Sequence, residues 1–127
     1  IKGLDGFDSA IAAVPVKDTI KTVRWQESRV KSQEPYNELF VEKTLDRSVL
    51  WSVQTPQVFV FDKIMDAHER AKKEKFYATD DAALIEHYGG VVKVVMGDYR
   101  NIKITTPDDI ILAGAILKER FERGGSV

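Results

Sequence analysis

One short run constrains this chain more than any other: Ala10-Ile11-Ala12-Ala13-Val14, apolar at every position and closed by Pro15. A strand with one face in water alternates polar and apolar residues. A run without alternation reads as a strand buried on both faces. Pro15 has no N–H to donate to a ladder, so it marks the end of that strand or an edge. A strand buried on both faces needs covering layers, and the rest of the sequence supplies helices. Asp62 precedes Ile64, Met65, His68 and Ala71 at helical intervals, and Lys72, Lys73 and Lys75 follow where cations suit a helix C-terminus. Thr79 is placed as the N-cap of a second helix, with Asp80 and Asp81 in its first turn, Leu84, Ile85 and Tyr88 facing inward, and Gly89 just past its end. Val91–Met96 and Ile102–Thr105 read as strands. Thr106-Pro107-Asp108-Asp109 opens a third helix, with Ile110, Ile111, Gly114, Leu117 and Phe121 on one face and Gly124-Gly125 ending it. Apolar strands alternating with helices predict an α/β layer fold with a partly parallel sheet.

Residues 1–9 predict little regular structure. From Lys17 to Pro35 the sequence turns polar and charged, with only Val23, Trp25 and Val30 scattered through it. It reads as an excursion from the core, a hairpin arm. Strand character resumes from Leu39 to Leu45, and again from Val53 to Val60 with Pro56 interrupting. In open α/β sheets ligands bind beyond the carboxyl ends of the strands. The loops after Val14, Val53 and Ala78 and around Asn101–Lys103 are therefore the places to look for a site.

Composition narrows the chemistry. At 127 residues the chain is one domain or part of one. Lys and Arg number 19 against 20 Asp and Glu, a net charge of -1, so no overall basic field attracts nucleic acid. There is no cysteine, which excludes disulfides, thiolate metal sites and a cysteine nucleophile. Apolar runs fall far short of the roughly 20 residues a membrane helix needs, and Lys2 and Asp5 interrupt what would be a signal-peptide core. Neither glycine-rich phosphate-binding pattern occurs. His68 and His87 fall on predicted helices without metal-ligand spacing and read as ordinary surface histidines. The sequence opens on Ile1 rather than Met, as a piece of a longer chain would.

Four stretches are polar where a bland fold would not require it: Pro15-Val16-Lys17-Asp18-Thr19, Leu45-Asp46-Arg47 with Leu50-Trp51, Gln54-Thr55-Pro56-Gln57, and Gly97-Asp98-Tyr99-Arg100-Asn101-Ile102-Lys103-Ile104-Thr105. Each has a plain structural alternative. Asp18 and Thr19 suit a turn, Arg47 can pair with Asp46 on the surface, Thr55-Pro56 can end a strand, and Lys103 can be the outward face of one.

Taken together in register, these stretches are similar to a known family. Pro15–Lys21, Leu45-Asp46-Arg47 with Leu50-Trp51, Gln54–Phe59, Thr79-Asp80-Asp81-Ala82, and Gly97-Asp98 with Asn101–Asp109 resemble the C-terminal half of the 2-C-methyl-D-erythritol 4-phosphate cytidylyltransferases, from about Ala10 to Leu117. The resemblance implies a Rossmann-like nucleotidyltransferase sheet with a protruding β-arm at 15–50 through which two copies pair. It implies transfer of CMP from CTP to methylerythritol phosphate, in the non-mevalonate route to isoprenoids. Thr19 and Arg47 match arm positions that reach substrate in the partner subunit. Thr55 and Thr79 match threonines lining the substrate pocket, and Lys103 matches the lysine on the reacting phosphates, so Lys103 and Arg47 are the expected catalytic groups. The family's glycine-rich loop, cytosine pocket and metal-binding aspartate belong to an N-terminal half not found in this sequence. Mg²⁺ is expected mainly there, and the 127 residues alone are expected to be inactive.

The resemblance also implies CTP and methylerythritol phosphate as partners, without nucleic acid or membrane. The expected setting is cytoplasmic, or a plastid if a transit segment preceded the chain. The segment between Lys21 and Leu39 looks longer than the family's arm, and Trp25, Arg29 and Tyr36 have no counterpart. The sister alditol-phosphate enzymes, such as one for ribitol 5-phosphate, share the Thr-Pro-Gln and Asn-Ile-Lys-Ile-Thr stretches. A non-catalytic dimerisation module is the alternative from another class.

Overall fold

The computed structural model describes residues 6–27 and 37–122. Within them run β1 (Ser9–Pro15), β2 (Lys21–Glu27), β3 (Asn37–Thr44), β4 (Trp51–Phe59), α1 (Phe61–Glu74), α2 (Asp81–His87), β5 (Val92–Met96) and α3 (Pro107–Glu122), with one 3-10 turn at Arg47–Val49. The expected α/β class is what these elements form. The expectations for Val30, Arg29, Tyr36 and Gly124-Gly125 lie outside the described residues.

Contacts divide the chain into two compact units, 15–52 and the remainder. In the larger unit the apolar run is the middle strand of a three-stranded sheet ordered β4-β1-β5. β1 and β5 are parallel, with Ser9 opposite Val92 and Ala13 opposite Met96. Ser9, Ile11, Ala13 and Val14 are buried, as a strand with neighbours on both sides should be. The ladder extends past the strand ends: the amides of Asp8 and Ser9 donate to the Val91 carbonyl, and Gly97 donates to Ala13.

The core is small and lies between α1 and α2. Ala67, Ala71, Leu84 and Ile85 are buried together, with Phe59, Ile64, Phe76, Ala78, Tyr88 and Val92 packed around them. The small alanines give α2 its close seat on α1. The inward face of α1 is thus Ile64, Ala67 and Ala71; Met65, at helical spacing with them, is exposed, and so is His68, as its reading as a surface histidine expects. Spacing alone admits both faces, and packing selects the one with alanines.

Three expectations need correction. Asp80, not Thr79, is the N-cap of α2: its backbone is extended and its carboxylate accepts from the amide of Ala83 at 2.9 Å. Residues 102–105 are not a strand, because their neighbours' backbone groups are bonded by side chains rather than by a ladder. The apolar stripe of α3 is not a buried face in the described chain. Ile110, Ile111, Leu117 and Phe121 are all exposed, and the helix buries no residue. Gly89, with φ of +80°, ends α2 as expected; a Cβ there would face the strain of the left-handed region.

In the smaller unit β2 and β3 form an antiparallel ribbon, with Lys21 opposite Thr44, Val23 opposite Val41 and Trp25 opposite Leu39, and a shift of register at Thr22/Val23. The hairpin expected of the polar excursion is present. Leu45 donates to the Ile20 carbonyl and Val16 to that of Leu50, closing the base of the unit.

Leu84 is 5% exposed at the centre of the α1–α2 cluster. Leu84→Ala should cost about 3 kcal/mol, the usual order for a buried leucine deleted to leave a cavity. Urea unfolding of the two proteins measures it, and a loss under about 1 kcal/mol would show that this cluster does not carry the larger unit.

Candidate functional site

One strand, the start of a helix and a loop of the larger unit build a cavity. β4 carries Val53, Gln54, Thr55 and Gln57; α2 begins with Asp80 and Asp81; the loop after β5 carries Asn101 and Lys103. Together these line a cavity of about 450 Å³, within the range of small-molecule sites. It lies in the region the sheet topology pointed to. A second cavity of about 510 Å³ is lined by residues of α1 and α2 and by Thr79, and it shares Asp80 and Asp81 with the first.

The loop from 97 to 106 replaces the expected strand, and side chains hold it. The Nε2 of Gln54 donates to the carbonyls of Asp98 at 2.8 Å and Asn101 at 3.1 Å. The Nδ2 of Asn101 donates back to the carbonyl of Thr55 at 2.6 Å. At the far end one oxygen of Asp109 accepts from the amides of Thr105 at 2.9 Å and Thr106 at 2.7 Å, and from both hydroxyls. Asp109 stands three residues into the helix start, where a carboxylate reaches back to the first unpaired amides. The amides of Thr105 and Thr106 and the Thr106 hydroxyl hold its carboxyl down to about 2, against an ordinary 3.8.

Charge in the cavity is one cation against two acids, both engaged. Asp80 accepts from Gln57 Nε2 at 2.8 Å and caps α2. Asp81 lies 3.1 Å from His68 Nε2. No partner pairs with Lys103 among the described residues, and it is exposed. An unpaired ammonium beside hydroxyls and amides suits an anionic ligand.

The structure therefore brings Thr55 and Lys103 to one cavity and places Thr79 at the adjoining one. Thr19 and Arg47 lie on the smaller unit. There Arg47 does not pair with Asp46, the plain alternative for it. Its Nη1 donates to the carbonyl of Lys17. Asp46 is occupied by Ser48, whose hydroxyl and amide donate to it at 2.7 and 2.9 Å and lower its carboxyl below the usual range.

The sequence reading missed the roles of Gln54, Asn101 and Asp109. Two of them sat inside stretches already marked as polar without structural need; the third follows Thr106 at helix-start spacing.

A family model described as 2-C-methyl-D-erythritol 4-phosphate cytidylyltransferase matches residues 2–119. The chain belongs to this family. A cytidylyltransferase of that description from Geobacillus thermodenitrificans is 53% identical over 115 residues, covering 91% of this chain and 45% of the relative. One from Pelotomaculum thermopropionicum is 45% identical over 123 residues, 97% of this chain and 47% of the relative. Among solved structures, the 4-diphosphocytidyl-2C-methyl-D-erythritol synthase of Anaerococcus prevotii superposes with a TM-score of 0.73 at 35% identity, over 91% of this chain and 46% of that one. The chain spans about half the length of the curated relatives it matches.

The chain does not compose a divalent-metal site from the residues described. Among them no three His, Asp or Glu side chains cluster as ligands would. Asp80 and Asp81 are engaged as above, and Asp98 accepts from the amide of Arg100 at 2.8 Å. Among the described residues no helix is long and apolar enough to cross a membrane.

Asp109 sets a pH dependence whose sign is fixed. Its folded carboxyl is held below its ordinary value, so its contribution is complete above about pH 4 and fades as pH falls toward 2. The stability gap between the wild type and Asp109→Ala should follow the same course in urea titrations. A gap that stays constant across that window would mean the carboxylate does not anchor α3.

Proposed function

We propose that the protein containing this chain transfers the CMP group of CTP to 2-C-methyl-D-erythritol 4-phosphate, releasing pyrophosphate, and that this chain is its substrate-binding and pairing half. The family assignment over residues 2–119 supports the reaction. The observation that carries the site is Thr55 and Lys103, which has no partner among the described residues, lining one cavity between β4, the start of α2 and the loop after β5. On this reading the three-stranded sheet is part of a larger Rossmann-like nucleotidyltransferase sheet, and the enzyme works in the cytoplasm or a plastid. The divalent cation of such reactions would be held by residues outside this chain.

The chemistry suits these residue types. A phosphate oxygen of the acceptor attacks the α-phosphorus of CTP. The new P–O bond forms as the bond to the β-phosphate's bridging oxygen breaks, and pyrophosphate leaves with that electron pair. The protein has little covalent work to do; positioning and neutralisation of the phosphoryl oxygens dominate. Lys103 supplies a point charge where negative charge concentrates. Thr55 and Thr79 offer hydroxyl donors. Arg47 is suited to a bidentate grip on a phosphate, and we place it with Thr19 at the site of a second copy, the ribbon of β2 and β3 serving as the pairing arm.

Lys103→Ala in the full-length protein should lower turnover by about a hundredfold or more, the scale of one lost charge contact in a phosphoryl transition state. Steady-state kinetics with CTP and methylerythritol phosphate measures it, with ribitol 5-phosphate as the competing acceptor. A loss under about tenfold would return Lys103 to an ordinary surface role.

Shared sites make a separate prediction. Mixing Arg47→Ala subunits with Lys103→Ala subunits should restore part of the activity, because one hybrid site then holds both native residues. Confirmed hybrid dimers with no recovery would assign Arg47 to its own subunit.

A further inference from the structure

The loop bearing Lys103 is joined to the strand bearing Thr55 by a reciprocal pair of side chains, Gln54 and Asn101. Gln54 reaches from β4 to two loop carbonyls, and Asn101 reaches from the loop to the carbonyl of Thr55. These bonds cross 44 to 47 residues of sequence and take the place of a ladder. The orientation of Gln54 is defined: both carbonyls need a donor, so Nε2 faces them. Its Oε1 is then left buried without a hydrogen-bond partner among the described residues. Gly97 makes room for that oxygen, since a Cβ at Gly97 would overlap it. An amide accepts an unpaired buried oxygen, at real cost, only where its other end gains more.

We propose that Gln54 and Asn101 are positioning residues for the transfer reaction: they fix Lys103 relative to Thr55 so that the ammonium meets the phosphoryl oxygens as charge develops. This rests on the reaction proposed above. Gln54 does its work through the loop and needs no contact with substrate. The strand, the loop and the glycine opposite form one device that gives a lysine on irregular backbone the placement a strand would otherwise provide. Misplacement by an ångström is costly in a reaction that depends on positioning.

The test uses the full-length protein and three variants. Gln54→Leu keeps the bulk and removes the donor. It should lower kcat about tenfold while KM for methylerythritol phosphate stays within about twofold, as expected for a contact exerted on the transition state. In a Lys103→Ala background the same change should cost less than about twofold, because the residue it positions is gone. A cost equal in both backgrounds would overturn the proposal and leave Gln54 a purely structural residue. If Gln54→Leu does not fold, Asn101→Ala takes its place in the same cycle with the same expectations.

Amide hydrogen exchange gives a readout that does not need the reaction. Exchange across residues 98–104 should quicken in Gln54→Leu while α1 is unchanged; unaltered loop exchange would overturn the clip. Should the wild type fail to form the cytidyl product, the proposed reaction is what fails, and exchange alone then decides whether the clip exists.

Discussion

The hydrogen-bonded placement of β1 between β4 and β5 is the constraint on which the larger unit depends. β1 is the only one of its three strands with a neighbour on each side, and it is the most buried. β4 and β5 do not pair with each other. β1 sets their relative position, and the Gln54 and Asn101 side chains then tie Thr55 on one to the loop that follows the other. From Ala10 to Val14 both faces of β1 are apolar, because a polar side chain there would have no water and few partners. A strand chosen for burial thus defines the spacing of a site to which it contributes no side chain.

From that frame the site is assembled by polar contacts of modest individual strength. Asp80 illustrates the economy: one carboxylate caps α2 through one oxygen and accepts from Gln57 through the other. The acids near the cavity are thereby tied to donors of the protein, and Lys103 is left as the cation without a partner among the described residues. A carboxylate already supplied with donors repels an incoming anion less than a bare one.

Much of this was legible in the residues. The apolar run, Gly89, the Pro107 helix start and the polar hairpin each rest on a local rule with a strong steric or solvation basis, and each appears in the structure. The failures share a cause. A helix at 102–105 is excluded by its β-branched residues, and a strand looks natural, but a strand needs a partner, and partners are not local. The donors that hold this segment instead, Gln54 and Asp109, lie elsewhere in sequence. The sequence left the buried face of α1 open for a similar reason, since Met65 and Ala67 are both apolar and only the approach of α2 decides between them. Family resemblance picked out Thr55, Thr79 and Lys103 as site residues; it could not show that Lys103 stands on a loop.

The ribbon of β2 and β3 presents Val23, Trp25, Leu39, Phe40 and Val41 to solvent, each more than two-fifths exposed. Two strands by themselves also leave two unpaired edges, the template on which chains add to one another without limit. Lys21, Arg24, Glu38, Glu42 and Lys43 are interleaved along both strands. A further strand laid against either edge would have to bring matching charges and accept the break in register at Thr22/Val23. The ribbon is therefore open to neighbours across its apolar faces and guarded along its edges, which favours association that closes over association that propagates into a fibre.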